Sequence, residues 1–466
     1  MFKKFFVKIA AFATCVVALG GTLFGGLSAC SETEPELYNF SKKYYGYFNT
    51  DAELVLQLPE MTDKGIQLSK DINDLLYTLQ CSFDAGLSTS KLYAFNAAAA
   101  GAKVEIDEHC YNVLQIAQKM YAQTDGFYNP GVYYSVDLYG FSAREAGVTM
   151  PYDREDPSKQ LPAEKYVSAF EELGESFADL SLEYDEDSGK YYAIKPEKTV
   201  TVDGDPNVYS LRIDLGGIGK GYAADLVDEL IDEAGFEYSY FNFGSSTMTI
   251  NKDAATEDEQ WPLGFHNARG GANEYYIIWK DSDTSTSTSG DNEKYYIIDG
   301  KRYCHIVNPK TGSPISTGII TASCSGGDAA EADARTTAIC AMGLERALEY
   351  INSADVKGAG IKASFLYEDQ DGELTVYTNM EEGDYEIVLG QQSGTTDTPG
   401  SSDQTPEIPS WVFILICAGF VVVVFAGWLI YKKVQQKRES AEAGAENEYS
   451  GADSVHTEGS DKDSDN

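Results

Sequence analysis

The sequence predicts an α+β fold: mixed, largely antiparallel sheets with flanking helices in a single folded unit, followed by a C-terminal transmembrane helix. Three observations carry this. Strand-like and helix-like patterns cluster as neighbours in some stretches and alternate in others, which favours α+β over a doubly wound sheet. No internal repeat divides residues 31–390, so that stretch reads as one unit. Near the end, an uninterrupted apolar run from Trp411 to Ile430 has the ~20 residues a helix needs to cross a bilayer.

Residues 1–29 read as a signal peptide. Lys3, Lys4 and Lys8 precede an apolar run from Ile9 to Leu27. The run ends in Leu27-Ser28-Ala29-Cys30, which resembles a bacterial lipobox whose cysteine carries lipid after cleavage. The unit at 31–390 shows helical periodicity in DINDLLYTLQ (71–80) and EHCYNVLQIAQKMYAQ (108–123). Short strands are expected at 190–196, 198–204 and 210–215, then a helix at 222–235 and a strand at 238–243. Strands at 273–279 and 294–303 are expected on either side of a Ser/Thr loop. Helices at 328–343 and 344–351, then strands at 363–368 and 374–378, close the unit.

Residues 391–410, QQSGTTDTPGSSDQTPEIPS, have the composition of a flexible linker. The 411–430 span carries Trp411, Trp428 and Tyr431 at its ends, and Lys432, Lys433, Lys437 and Arg438 follow. The positive-inside rule then makes 431–466 a cytoplasmic acidic tail and places the folded unit outside. A net charge of −39 excludes a nucleic-acid partner, which needs clustered Lys and Arg. Of eight cysteines, five lie in the folded unit, without paired or zinc-like spacing.

Three motifs bear on chemistry. RIDLGGIGKGYAAD (212–225) runs from a strand through glycines 216, 217, 219 and 221 into a helix. Such a turn lets a ligand approach the backbone, and the helix amides suit an anion, although the spacing is neither GxGxxG nor a P-loop. GGDAAEADARTTAICAMG (326–343) starts a helix through a capping box of Asp328 and Glu331. Asp333 and Thr337 stand at i and i+4 on one face of it, a pair able to hold a hard cation such as magnesium. CHIVNPKTGSPI (304–315) sets His305 before a tight turn marked by Asn308-Pro309 and Gly312. A fourth stretch, TDGFYNPGV (124–132), puts aromatics beside the Asn129-Pro130 turn.

In this order the segments resemble the ApbE-type FAD:protein FMN transferases, over roughly Phe48 to Gly390. That family has an aromatic-Asp-Pro segment, then Asp-Leu-Gly-Gly-Ile-Ala-Lys-Gly-Tyr-Ala, then His-Ile-x-Asp-Pro-x-Thr-Gly, then Ala-Asp-Ala-x-x-Thr-Ala. The second is matched at 214–223, with Gly219 for Ala; the third at 305–312, with Asn308 for Asp; the fourth at 332–338. Asn129 stands where the first segment has Asp, and Gly244-Ser245-Ser246 replaces a glycine pair and polar residue.

The resemblance implies an enzyme that moves the FMN half of FAD onto a Thr or Ser hydroxyl of another protein and releases AMP. It implies Mg2+ held by Asp333, Thr337 and the backbone of Gly217, and FAD held by Asp214 and Lys220. Phe48, Phe83, Phe127, Tyr128, Asn129 and Ile315 are the further expected cofactor contacts. His305 is the expected base, since imidazole titrates near neutral pH. The implied acceptor is an exported, membrane-associated electron-transfer protein. A membrane-anchored extracellular flavin or solute-binding lipoprotein without catalysis is the competing class; it has no need of the cation pair.

Overall fold

The computed structural model describes residues 37–142, 161–270 and 274–389. The signal peptide, Cys30, the linker, the 411–430 span and the tail lie outside the described residues. Among the described residues, no helix is long and apolar enough to cross a membrane.

The frame is an eight-stranded sheet whose strands lie side by side in chain order. They are β1 (Tyr38–Tyr47), β2 (Thr50–Leu58), β3 (Ser239–Phe243), β4 (Thr247–Ile250), β5 (Thr284–Gly290), β6 (Ile319–Ser325), β7 (Lys362–Glu368) and β8 (Leu374–Thr378). Every neighbouring pair is antiparallel. Long excursions leave and rejoin it: β2 pairs with β3, Ala52 opposite Phe243 and Leu56 opposite Ser239, although residues 59–238 intervene.

The α-helices among the described residues are α1 (Asp63–Phe83), α2 (Lys91–Ala97), α3 (Glu108–Gln123), α4 (Tyr133–Leu138), α5 (Glu164–Gly174), α6 (Gly219–Ala234), α7 (Ala329–Met342), α8 (Leu344–Ile351) and the short α9 (Ala354–Gly358). The period-2 alternation of the strands sorts side chains to two faces. Ala322, Cys324, Ala363 and Phe365 join the core made with α1, α3, α6 and α7. Ile320 and Leu366 point the other way, onto a small sheet of Trp261–His266, Tyr275–Asp281 and Tyr385–Ile387. There the Phe265 and Trp279 rings stack at 3.8 Å. Helix α7 is enclosed almost all round, and Ala330, Ala334 and Ala338, each fully buried, keep it slim enough to sit between sheet and α6.

The expected α+β class and antiparallel bias hold. Three local expectations do not. The Ser/Thr stretch is the sheet strand β5, not a loop, because its hydroxyls find partners inside: Ser287 with Thr247 at 3.1 Å, Thr288 with Ser323 at 3.0 Å and Ser289 with Thr336 at 2.9 Å. Of the expected strand 210–215 only Ser210 is in a ladder, at the end of Val208–Ser210. Beyond it the backbone is held by other partners: Ile213 exchanges two bonds with the Asn96 amide, at 2.8 and 2.9 Å, and the Asp214 N–H donates to Pro130. The Asp328–Glu331 capping box does not form, for Asp328 makes no side-chain cap bond. Glu331 instead pairs with Lys119 and, at 3.6 Å, with Arg335. The five described cysteines are free thiols, in accord with their spacing.

Candidate active site

A cavity of about 310 Å3 opens where the start of α6, the middle of α7, the β1–β2 turn and the segment around His305 converge. Glycines make the α6 turn possible: a Cβ on Gly217 would lie 3.0 Å from the Thr337 hydroxyl, so its backbone sits against that side chain. The Gly216 N–H donates to Asp214 Oδ1 at 2.7 Å, closing the turn. Lys220 Nζ donates to the Gly216 carbonyl at 3.2 Å and lies 3.7 Å from Asp333 Oδ2. The Gly221 N–H donates to the same carboxylate at 3.3 Å. Thr337 Oγ1 donates to the Asp333 carbonyl at 3.1 Å, and Ser289 Oγ lies 3.3 Å from it.

Asp333 is 2 % exposed. Burial holds its carboxyl above the usual range, and the Lys220 ammonium and Gly221 amide oppose this only in part. Asp214 is raised too, first by burial, with the Gly216 amide opposing. Tyr128 packs beside them at 3 % exposure, its hydroxyl without a partner among the described residues. Burial and the Asp333 and Asp214 charges push its pKa up, so it stays a neutral phenol with a proton to donate.

His305 lines the same cavity. Its backbone N–H donates to the Lys294 carbonyl at 3.0 Å, and the following turn is closed by Thr311 and Gly312 amides donating to the Asn308 carbonyl at 3.1 and 3.0 Å. The Asn308 side chain donates to the Ala341 carbonyl at 3.1 Å, which fastens the turn to the end of α7. Gly312 has φ +63°, and a Cβ there would stand 2.9 Å from the Val167 carbonyl. The imidazole Nδ1 is buried with no partner among the described residues. Burial, then the Lys220 and Lys294 charges, lower its pKa to about 4, so at pH 7 the imidazole is neutral with its lone pair available, but it is a weaker base than the near-neutral histidine expected from sequence.

Of the residues expected from sequence, Phe48, Phe83, Phe127, Tyr128, Asn129, Asp214, Gly217, Lys220, His305, Asp333 and Thr337 all line this cavity. Phe48 stacks on Phe83, centroids 5.3 Å apart, from a turn in which Phe48 and Asn49 have φ of 50° and 60°. Ile315 does not line it. It is 6 % exposed in the main core, its N–H bonded to Ile306. Asn129 reaches the wall, yet both ends of its amide are engaged: Nδ2 donates to Gly174 at 3.1 Å, and Oδ1 accepts from Gly131 at 2.8 Å. Sequence reasoning missed Asp84, Ser289, Glu293 and Lys294, which also line the cavity. Glu293 falls in a polar stretch without periodicity, Lys294 at the very start of an expected strand, and Ser289 lay in the supposed loop.

A cleft with a glycine-lined helix start, a lysine, a buried carboxylate and an imidazole suits phosphate-ester chemistry, and the fold around it is that of flavin transferases. The flavin transferase ApbE from Vibrio cholerae superposes with a TM-score of 0.57 at 21 % identity, covering 74 % of this chain and 97 % of that one. The ApbE protein from Thermotoga maritima does so with 0.57 at 21 %, covering 72 % and 96 %. In sequence, the FAD:protein FMN transferase of Treponema pallidum is 24 % identical over 307 residues, 65 % of this chain and 77 % of that protein. The enzyme of the same name from Salmonella typhimurium is 24 % identical over 291 residues, 61 % and 75 %. The ApbE family model matches residues 48–360, and the chain belongs to the ApbE family.

Proposed function

We propose that this enzyme transfers the FMN moiety of FAD to a Thr or Ser hydroxyl of an exported protein, with magnesium and with release of AMP. The observation that carries the reading is the convergence of Lys220, Asp333, Thr337 and His305, from three separate stretches of chain, on one cavity. In the reaction the acceptor oxygen attacks the phosphorus of the FMN phosphate. The P–O bond to the AMP phosphate breaks, AMP leaves, and the hydroxyl proton passes to His305. With little covalent chemistry for the protein to do, its task is positioning and charge stabilisation.

The residues fit a hard cation. Asp333 is a buried carboxylate whose charge Lys220 and one amide offset only partly, and the Thr337 hydroxyl and Gly217 backbone stand beside it. Bound there, magnesium would supply charge stabilisation at the pyrophosphate. Lys220 holds the same phosphates as a point charge, and the Phe48–Phe83 stack gives a planar ring a face to pack on. The signal, lipobox and apolar span of the sequence support an enzyme tethered outside the membrane, near other anchored proteins. An exported electron-transfer protein is the acceptor class this location favours.

Incubation of the folded unit with FAD, magnesium and a membrane fraction tests the reading. AMP release together with protein-bound flavin by mass spectrometry is expected. FAD binding with neither product would point instead to a flavin-binding lipoprotein.

A further inference from the structure

We propose that Asp225 is a positioning residue that sets the cation ligands of α7 through reciprocal capping of two helices. Asp225 lies one turn after Gly221 on the same side of α6. One of its carboxylate oxygens accepts the Ala329 N–H at 2.6 Å and the other accepts the Ala330 N–H at 2.9 Å. These are first-turn amides of α7, the groups a helix leaves without internal partners. Asp328, at the N-cap position, contributes no side-chain bond, so α7 begins where α6 holds it.

The debt runs the other way as well. Asp333, one turn into α7, accepts the N–H of Gly221 in the first turn of α6 at 3.3 Å. Each helix thus takes a carboxylate from its neighbour. Between the two bonds the backbones touch: a Cβ on Gly221 would lie 2.3 Å from the Ala329 carbonyl. A crossing fixed at both ends and close-packed between them leaves α7 no freedom to slide or turn. Asp333 and Thr337, one and two turns beyond Ala329, therefore hold one position against Lys220 and Gly217. Two N–H donors call for two acceptors. Asparagine would set an NH2 against one of them, so the carboxylate, not merely its shape, is required.

The proposal rests on Asp333 and Thr337 being the cation ligands argued above, and its test separates the two claims. Mn2+ is titrated by electron paramagnetic resonance into the FAD-free full chain as wild type, Asp225→Asn, Asp225→Glu and Asp333→Ala. Metal-free circular dichroism and melting of each are recorded alongside. Wild type is expected to bind, Asp333→Ala to lose binding, and Asp225→Asn to need roughly 10–100-fold more Mn2+, the range for groups that orient a ligand. Asp225→Glu should fall between. A purely structural role lowers melting and leaves the Mn2+ midpoint where it was, and an unchanged midpoint in folded Asp225→Asn overturns the proposal. So does failure of both Asp225 variants to fold. Absence of Mn2+ binding in wild type removes the cation reading and this proposal with it, whereas loss in Asp333→Ala alone overturns only this one.

Discussion

Replacing Gly221 with alanine tests how tightly the α6–α7 contact governs the site. A Cβ at this position falls 2.3 Å from the Ala329 carbonyl oxygen and 2.6 Å from Ala330 Cα. Both are backbone atoms, so no side chain can rotate away. Relief to ordinary contact requires the helices to part by about 1 Å, and overpacking of this kind costs about 1–3 kcal/mol. Alanine returns up to about 1 kcal/mol through helix propensity. The net loss of stability is therefore modest, about 1–2 kcal/mol. The loss of rate is larger. The displacement pulls Asp333 from the Gly221 amide and Lys220, and a shift of about 1 Å can cost on the order of 10²-fold. Melting and the initial rate of AMP release at saturating FAD measure the two effects. Gly358→Ala, in a short helix with open space around it, is the control and should be neutral or slightly stabilising. A Gly221→Ala enzyme that melts higher and turns over at the wild-type rate would refute the reasoning.

Three further outcomes follow from the same geometry. His305→Ala should slow transfer by roughly 10²–10⁴-fold with FAD affinity nearly unchanged. Because His305 acts as the neutral base, kcat/KM should fall as pH drops through about 4, and phosphate charge in the complex should move the kcat limb higher; a parallel loss of FAD binding would make the residue a binding group. Asp333→Ala should abolish transfer, and AMP release at the wild-type rate under limiting magnesium would sink the metal assignment. Asp228 on α6 is pushed up to about 6, first by burial and then by Asp232, and one of its oxygens has no partner among the described residues. The native state thus holds a proton the unfolded chain has lost, and stability falls as pH rises through that window. Asp228→Asn should gain about 1–2 kcal/mol at pH 8, after allowing for partial solvent screening, and nothing at pH 3; equal denaturant midpoints for variant and wild type at pH 8 would contradict this.

What the sequence disclosed was mainly what is local. Asp333 and Thr337 could be paired because helical spacing alone puts them on one face, and the glycines at 216–221 announced a backbone that something approaches. His305 stood out through the turn after it. The errors were non-local. Strand β5 shows no apolar alternation, since its buried face is satisfied by hydroxyls from β4, β6 and α7. The cap of α7 comes from Asp225, about a hundred residues earlier, so the nearer Asp328 misled. Ile315 follows the turn closely in sequence, but the chain has already re-entered the core there. Glu293 carries no pattern and Lys294 only opens an expected strand, so only the fold brings them to the cavity.

The order of the main sheet has a consequence for synthesis. β1 and β2 leave the ribosome first, yet the strand that covers the free edge of β2 lies beyond residues 59–238. At about 5–20 residues per second, translation of that stretch takes roughly 10–40 s. For that interval one edge of the Leu54-Val55-Leu56 run lacks its native partner and presents unpaired amides beside apolar side chains, the combination that invites association with other chains. A holding chaperone that reads extended apolar segments would find a target here until β3 is made.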